Sequence, residues 1–296
     1  MYDIIIIGAG AAGMTAAIYA RRANKSVLVL EKNNYGGKII NTLDIENYPG
    51  EEHISGYDFS TKLYNQIISL GAVVKQEEVT KVSIKNNLKV IETSNNKYTS
   101  KALIIATGSS NRKLSLKNED KLIGKEISYC ATCDGAFFKD KDVSVVGGGN
   151  TALEDALYLS NIVNKVYLIH RRDQFRADNV LINKVLEKSN IEIIYNSNIT
   201  KINGNDKLES IILNNDQELR VDGLFIAIGQ DANNNIFKDI INLDENGYII
   251  TNELCHTNQE GIFAAGDNRS KDLRQLVTAT SDGAVAATEA IKYLNK

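Results

Sequence analysis

Short apolar runs alternate along the chain with stretches of helical spacing. Ile4 to Ile7 and Val27 to Leu30 are continuous apolar runs of strand length, with Met14 to Arg22 at helical spacing between them. Continuous runs, unlike alternating ones, suit strands buried on both faces of a parallel sheet. The order returns at Val143 to Val146, then a helical stretch through Ser160, then Val166 to Ile169. Genuinely alternating segments, Ala72 to Ile84 with Leu88 to Tyr98 and Ile191 to Ile202 with Leu208 to Val221, predict an antiparallel insertion in each half.

Each first strand runs into a glycine-rich turn, Gly8-Ala9-Gly10-Ala11-Ala12-Gly13 and Gly147-Gly148-Gly149-Asn150-Thr151-Ala152. Strand, glycine turn and helix, twice over, predict an α/β fold with two Rossmann-like dinucleotide-binding domains. Later strands close on glycine at Thr107-Gly108, at Gly229 and at Gly266-Asp267. These endings suit either the edge of a nucleotide site or a plain turn. The order predicts a discontinuous first domain over 1–111 and 242–296 and an inserted second domain over 112–241, with crossings near Asn111 and Ile241.

The residue closing each second strand distinguishes the two nucleotides. Glu31 accepts hydrogen bonds from a ribose diol and repels a 2′-phosphate, so the first site suits FAD or NAD. The matching position in the second unit is His170, followed by Arg171, Arg172 and Arg176. Guanidinium groups match phosphate oxygens, which points to NADPH; the alternative for the cluster is a solvated helix start. Both pyrophosphates would sit at helix N-termini. Asp267 is placed to hold a hydroxyl of the first nucleotide or to cap the segment after it.

Composition narrows the chemistry. The 296 residues are 43% hydrophobic and 24% charged, with a formal net charge of −3, and no basic stripe suggests nucleic acid. No apolar run approaches membrane-spanning length, and a strand starting at Tyr2 leaves no room for a targeting segment, so the expected location is the cytoplasm. Three cysteines and three scattered histidines offer no second ligand pair for structural zinc, and no metal is expected. Cys130-Ala131-Thr132-Cys133 reads instead as a redox-active pair at a helix start. Asp134 beside it is either the proton donor for that pair or a surface turn residue.

CATCDG (130–135), GGGNTA (147–152), HRRDQFRA (170–177), ENYPG (46–50) and AAGD (264–267) together resemble low-molecular-weight thioredoxin reductases of the bacterial and archaeal type, along essentially the whole chain. The resemblance implies a cytoplasmic homodimer that moves electrons from NADPH through FAD to Cys130–Cys133, and on to thioredoxin or a thioredoxin-like protein. It implies Cys133 as the flavin-side sulfur, Cys130 as the one attacking the partner's disulfide, and Asp134 as the acid. Gly8, Gly10, Gly13, Glu31, Gly37, Lys38, Asn47, Thr107, Gly108, Asp267 and Gln275 would line FAD. Gly147, Gly149, Asn150, Thr151, His170, Arg171, Arg172 and Arg176 would line NADPH. It also implies a rotation by which nicotinamide and disulfide take turns at the flavin. Lys38 stands where a glutamine is usual, Leu276 where an alanine is, and Gln230 to Asn233 replace a segment with a His and a Pro. A ferredoxin-dependent flavin disulfide reductase would lack the nicotinamide motifs kept here, and a non-catalytic redox sensor would lack the CxxC.

Overall fold

The computed structural model describes residues 1–42 and 44–296. The chain divides into two compact units, one of residues 1–110 and 231–296 and one of 111–230.

The first unit begins with β1 (Tyr2–Ile7), α1 (Ala11–Arg22), β2 (Val27–Glu31), α2 (Gly56–Ser69) and β3 (Val73–Gln76). It continues with β4 (Val79–Lys85), β5 (Leu88–Thr93), β6 (Lys97–Ile105) and the short β7 (Ser109–Asn111). Strands β3, β2, β1, β6, β5 and β4 lie side by side in that order. The first part of β6, up to Ser100, pairs antiparallel with β5, and from Ser100 onward β6 runs parallel to β1. The expected antiparallel insertion therefore starts later than its sequence pattern suggests. β3 joins the parallel sheet beside β2, and only β4 and β5 form the antiparallel extension.

The second unit opens with α3 (Glu119–Leu122), β8 (Ile127–Ser128) and α4 (Ala131–Asp134). Next come β9 (Asp142–Gly147), α5 (Asn150–Ser160), β10 (Lys165–Ile169), α6 (Asn179–Leu186) and β11 (Ile191–Ile194). A small antiparallel sheet of β12 (Ile199–Asn203), β13 (Ser210–Leu213) and β14 (Glu218–Leu219) precedes β15 (Gly223–Ala227). The parallel sheet has the order β11, β10, β9, β15, β8, so β11, like β3, is a parallel strand rather than part of the insertion.

The chain re-enters the first unit through β16 (Gln230–Ala232), which pairs with β7. It finishes with β17 (Ile262–Ala264), parallel to β6, and α7 (Leu276–Leu294). The first crossing lies between Ser110 and Asn111. The second falls between Gln230 and Asp231, ahead of the expected Ile241. Phe237 and Ile241 are both buried in the first unit's core with Val79, Val82, Ile91 and Ile249, so that stretch has already joined the first unit.

Ile4, Ile5 and Ile6 are wholly buried, each contributing about 1.5–3 kcal/mol, because helices cover one face of the sheet and the antiparallel extension the other. α1 is rich in alanine, which lets α7 pack closely over it through Gly283, Ala286, Ala287 and Ala290. No helix among the described residues is long and apolar enough to cross a membrane.

Candidate functional sites in the two units

The first glycine turn forms because its backbone meets the strand beside it. Gly8 has φ +107°, and a Cβ there would run into the Ala106 carbonyl at the end of β6, so only glycine fits. Gly10 then caps α1, and a Cβ added to it would meet only the Gly37 Cα, at 4.0 Å, so the space above the turn is open. That space is the cradle a phosphate-bearing ligand needs at a helix N-terminus. The loop carrying Gly37 and Lys38 is held against the turn by the Gly36 amide donating to the Ala9 carbonyl at 2.8 Å.

Glu31 has a structural task that the sequence did not reveal. Its Oε2 accepts from the Ala9 amide at 2.8 Å and its Oε1 from the Asn33 amide at 2.9 Å. Each carboxylate oxygen keeps a further lone pair, so the same side chain can still receive a ribose hydroxyl.

Asp267 does not cap a helix. α7 starts at Leu276 under a capping box made by Gln275 and Thr278. Asp267 Oδ2 is instead 3.2 Å from Lys38 Nζ, while its Oδ1 is buried and has no hydrogen-bond partner among the described residues. Lys38 also donates to Ser109 Oγ at 3.0 Å. Asn47 Nδ2 donates to Gln275 Oε1 at 3.3 Å, so these two expected site residues do meet. Gly108 has φ +64° and open space at its Cβ position. Thr107 Oγ1 donates to the fully buried Asn234 at 3.2 Å and accepts from Asn268 at 3.3 Å. Neither asparagine carried a signal in the sequence.

In the second unit the glycine turn supports the arginine loop. The His170 ring lies where a Cβ on Gly148 would sit, and its Nε2 is 2.9 Å from the Gln174 carbonyl. The Arg176 amide donates to the Gly148 carbonyl at 2.7 Å. His170 is thus a buried brace for the loop, at 6% exposure. Arg171 and Arg176 are exposed and Arg172 is partly exposed, and none of the three forms an ion pair among the described residues. Three free guanidinium groups at the end of β10 suit a dianionic phosphate. Gly149 has nothing within 4 Å of its Cβ position, and Asn150 is locked to Asp178 by reciprocal bonds of 2.8 and 2.9 Å. Thr151 is exposed on the first turn of α5.

The same unit holds the Cys130–Cys133 disulfide, whose Cα atoms are 5.3 Å apart. Cys130 occupies the N-cap of α4 and its carbonyl accepts from the amides of Cys133 and Asp134, which folds the pair into one turn. Asp134 is no surface turn residue. Burial pushes its carboxyl up from the ordinary range, against a hydrogen bond from Ser128 that pulls it down. Ser128 Oγ donates to Asp134 Oδ2 at 2.5 Å and accepts from the Cys130 amide at 3.0 Å. Behind them, buried Glu119 accepts from the Tyr129 hydroxyl at 3.0 Å and from the amides of Leu114 and Leu116 at 3.0 and 3.1 Å. Burial and this carboxylate raise the Tyr129 phenol well above its ordinary value. Sequence reasoning found neither Ser128 nor Glu119, because their role depends on contacts that no spacing encodes.

Cys255 stands apart in the first unit. It is fully buried, its Sγ is 3.1 Å from Arg269 Nη1, and burial pushes its thiol up to about 11. Such a thiol is inert. Asp44, Glu46 and His53 gather on the surface with one ligand atom each within 4.8 Å of the others; His53 is bonded to Asp44 at 2.8 Å, as an ordinary ion pair would be.

The chain is similar to known proteins along its whole length. The model of the pyridine nucleotide-disulphide oxidoreductase family matches residues 2–283. The chain is 44% identical over 298 residues to a protein of Clostridium pasteurianum described as a 34.2 kDa protein in the rubredoxin operon, covering 99% of this chain and 97% of that one. It is 41% identical over 302 residues to the thioredoxin reductase of Bacillus subtilis, covering 100% of this chain and 96% of the relative. The crystal structure of thioredoxin reductase from Streptococcus pyogenes superposes with a TM-score of 0.95 at 41% identity, over 100% of this chain and 98% of that one.

Proposed function

The chain belongs to the pyridine nucleotide-disulphide oxidoreductase family, and from that membership we propose that it is a thioredoxin-disulfide reductase, with FAD held in the first unit and NADPH in the second. The observation that carries the reading is the disulfide beside a half-buried acid, Cys130–Cys133 with Asp134 and Ser128, leading directly into the glycine turn of the second unit.

The residues fit both groups. In the first unit the open cradle over Gly10 and the spare lone pairs of Glu31 match a pyrophosphate and a ribose. Bound there, FAD supplies two-electron transfer between nicotinamide and disulfide. In the second unit Gly149 leaves room for a pyrophosphate, and Arg171, Arg172 and Arg176 hold the 2′-phosphate that distinguishes NADPH from NADH.

Reduction of the disulfide breaks the S–S bond and leaves sulfur anions in need of protons. Asp134, kept protonated more readily by burial, donates one of them. Cys130, as a thiolate, then attacks the disulfide of a thioredoxin-like protein, and the displaced sulfur of that protein takes a proton. Cys133 attacks the mixed disulfide at Cys130, which restores the ring and releases the second thiol of the carrier. The test is direct: the FAD-loaded protein is mixed with NADPH and oxidised thioredoxin, and NADPH absorbance is followed. Steady oxidation that requires both thioredoxin and Cys130 is expected; oxidation indifferent to thioredoxin would refute the assignment.

A further inference from the structure

The redox turn is tied to the second unit's core through the residue that precedes it. From β8 onward the side chains divide. Ser128 meets Asp134 and the Cys130 amide, whereas Ile127 and Tyr129 lie against the apolar cluster that holds Leu122, Ile211, Leu213 and Leu224. At the far end of its ring the Tyr129 hydroxyl donates to Glu119 Oε1 at 3.0 Å, a charge-assisted bond. Burial and the Glu119 charge raise this phenol, so it stays protonated and remains the donor.

Glu119 is itself held fast. It is 1% exposed, with Oε1 also accepting from the Leu114 amide at 3.0 Å and Oε2 from the Leu116 amide at 3.1 Å. Leu114 and Leu116 pack on the same apolar cluster as Tyr129. Asn118, the N-cap of α3, donates to the Gly204 carbonyl at 2.8 Å and fastens the helix to the loop after β12. The carboxylate is therefore a fixed point, and Cys130 follows directly on the side chain that it holds. Reduction cleaves the S–S bond between Cys130 and Cys133, and the spacing of the two thiols then depends on non-covalent ties. A dithiol kept near its bonded geometry closes readily, because little chain entropy is lost on closure. A loosened one closes less readily and is more easily reduced.

We infer that Glu119 and Tyr129 are positioning residues for the redox turn: by holding the chain before Cys130 to the core, they keep the reduced turn close to its ring geometry and so set the reduction potential of the pair. The inference rests on the reading of Cys130–Cys133 as the pair that exchanges with a protein disulfide. The oxidised turn keeps its S–S bond whatever becomes of Tyr129, so loss of the anchor frees the dithiol form more than the disulfide form. The equilibrium then moves toward the dithiol, and the potential becomes less negative.

The test reads that potential. FAD-loaded protein is equilibrated anaerobically in mixtures of reduced and oxidised dithiothreitol, quenched with acid, alkylated and mapped by peptide mass. In the exchange dithiothreitol gives up two electrons and two protons as it forms its cyclic disulfide, and the protein's S–S bond becomes two thiols. Tyr129→Phe removes the hydroxyl and keeps the ring. It is expected to shift the equilibrium about threefold to tenfold toward the dithiol, or roughly 15–30 mV at about 30 mV per tenfold. Glu119→Gln should shift it the same way, and adding Tyr129→Phe should change little more, because the carboxylate acts through the hydroxyl. Fully additive shifts would give Glu119 a route that bypasses Tyr129 and would overturn the inference. A potential unmoved in Tyr129→Phe overturns it too, and an equal loss of melting temperature in the oxidised and reduced proteins would then assign the bond to stability alone. A shift toward the disulfide overturns it by its sign. A wild-type protein that stays a disulfide in every mixture refutes the redox reading itself, a result distinct from the others.

Discussion

Ser128 Oγ donates a 2.5 Å hydrogen bond to Asp134 Oδ2 while accepting the Cys130 amide, so one hydroxyl sets both the acid and the first cysteine. Burial raises the Asp134 carboxyl and the Ser128 bond lowers it. The acid works when protonated, so its contribution fades as pH rises through its pKa. Ser128→Ala removes the lowering influence, and the alkaline limb of kcat/KM for disulfide reduction is expected to move to higher pH. Asp134→Asn should reduce turnover by about 10²–10⁴-fold. A pH–rate profile of the two variants checks both outcomes, and a limb displaced to lower pH in Ser128→Ala would contradict the assignment.

The two cysteines of the ring should separate by function. Cys130→Ser is expected to leave flavin reduction by NADPH intact and to abolish turnover of the protein disulfide. Cys133→Ser should also stop turnover, yet leave a thiol at 130 that traps a mixed disulfide with oxidised thioredoxin, visible as a covalent adduct on a non-reducing gel. An adduct formed only through Cys133 would reverse the roles. Cys255→Ser should turn over like the wild type, since that thiol is buried and pushed up to about 11.

Cofactor choice should rest on the arginine loop. Arg171 and Arg172 make no ion pair among the described residues, so replacing both by Ala removes little from the free protein. Each lost charge-assisted bond to a 2′-phosphate is worth roughly 1.5–3 kcal/mol, or about tenfold to a hundredfold in preference for NADPH over NADH. The ratio of kcat/KM for the two donors measures it, and an unchanged ratio would refute the phosphate pocket. His170→Ala should act differently, through the loop that its ring braces against Gly148.

Asp155 on α5 predicts a pH effect on stability rather than on chemistry. Burial, with the nearby Glu154 charge, raises its carboxyl from 3.8 to about 7. The folded protein therefore holds this proton more tightly than the unfolded chain, and stability is lost as pH rises from 3.8 through about 7. Asp155→Asn cannot ionise and should be more stable than wild type above about pH 7, by on the order of 2 kcal/mol given the partial exposure of the site. The difference should vanish below the unfolded pKa. Urea unfolding at acid and alkaline pH measures it, and a gain confined to acid pH would contradict the sign.

Much of this was legible in the sequence, and the rest was hidden for identifiable reasons. The two glycine turns announced themselves because Gly8 and Gly148 meet the Ala106 carbonyl and the His170 ring, where a side chain has no room. The acid at Glu31 and the cations after Ile169 were legible because they close the second strand of each βαβ start. The strands β3 and β11 were misread as antiparallel because half-exposed edge strands alternate whichever way they run. The second crossing was placed too late because Phe237 and Ile241 carry no mark of the core they join. The pairing of Lys38 with Asp267, and of Glu119 with Tyr129, brings together residues whose neighbours only the folded chain defines.

Electrons from NADPH should reach Cys130–Cys133 only through the flavin. Thiol accessibility under anaerobic conditions measures this, with FAD-loaded protein treated with NADPH, alkylated and mapped by peptide mass. Alkylation of Cys130 and Cys133 is expected only when FAD and NADPH are both present, with Cys255 unlabelled in the folded protein. Bleaching of the flavin by NADPH while Cys130 and Cys133 remain joined as a disulfide would contradict it.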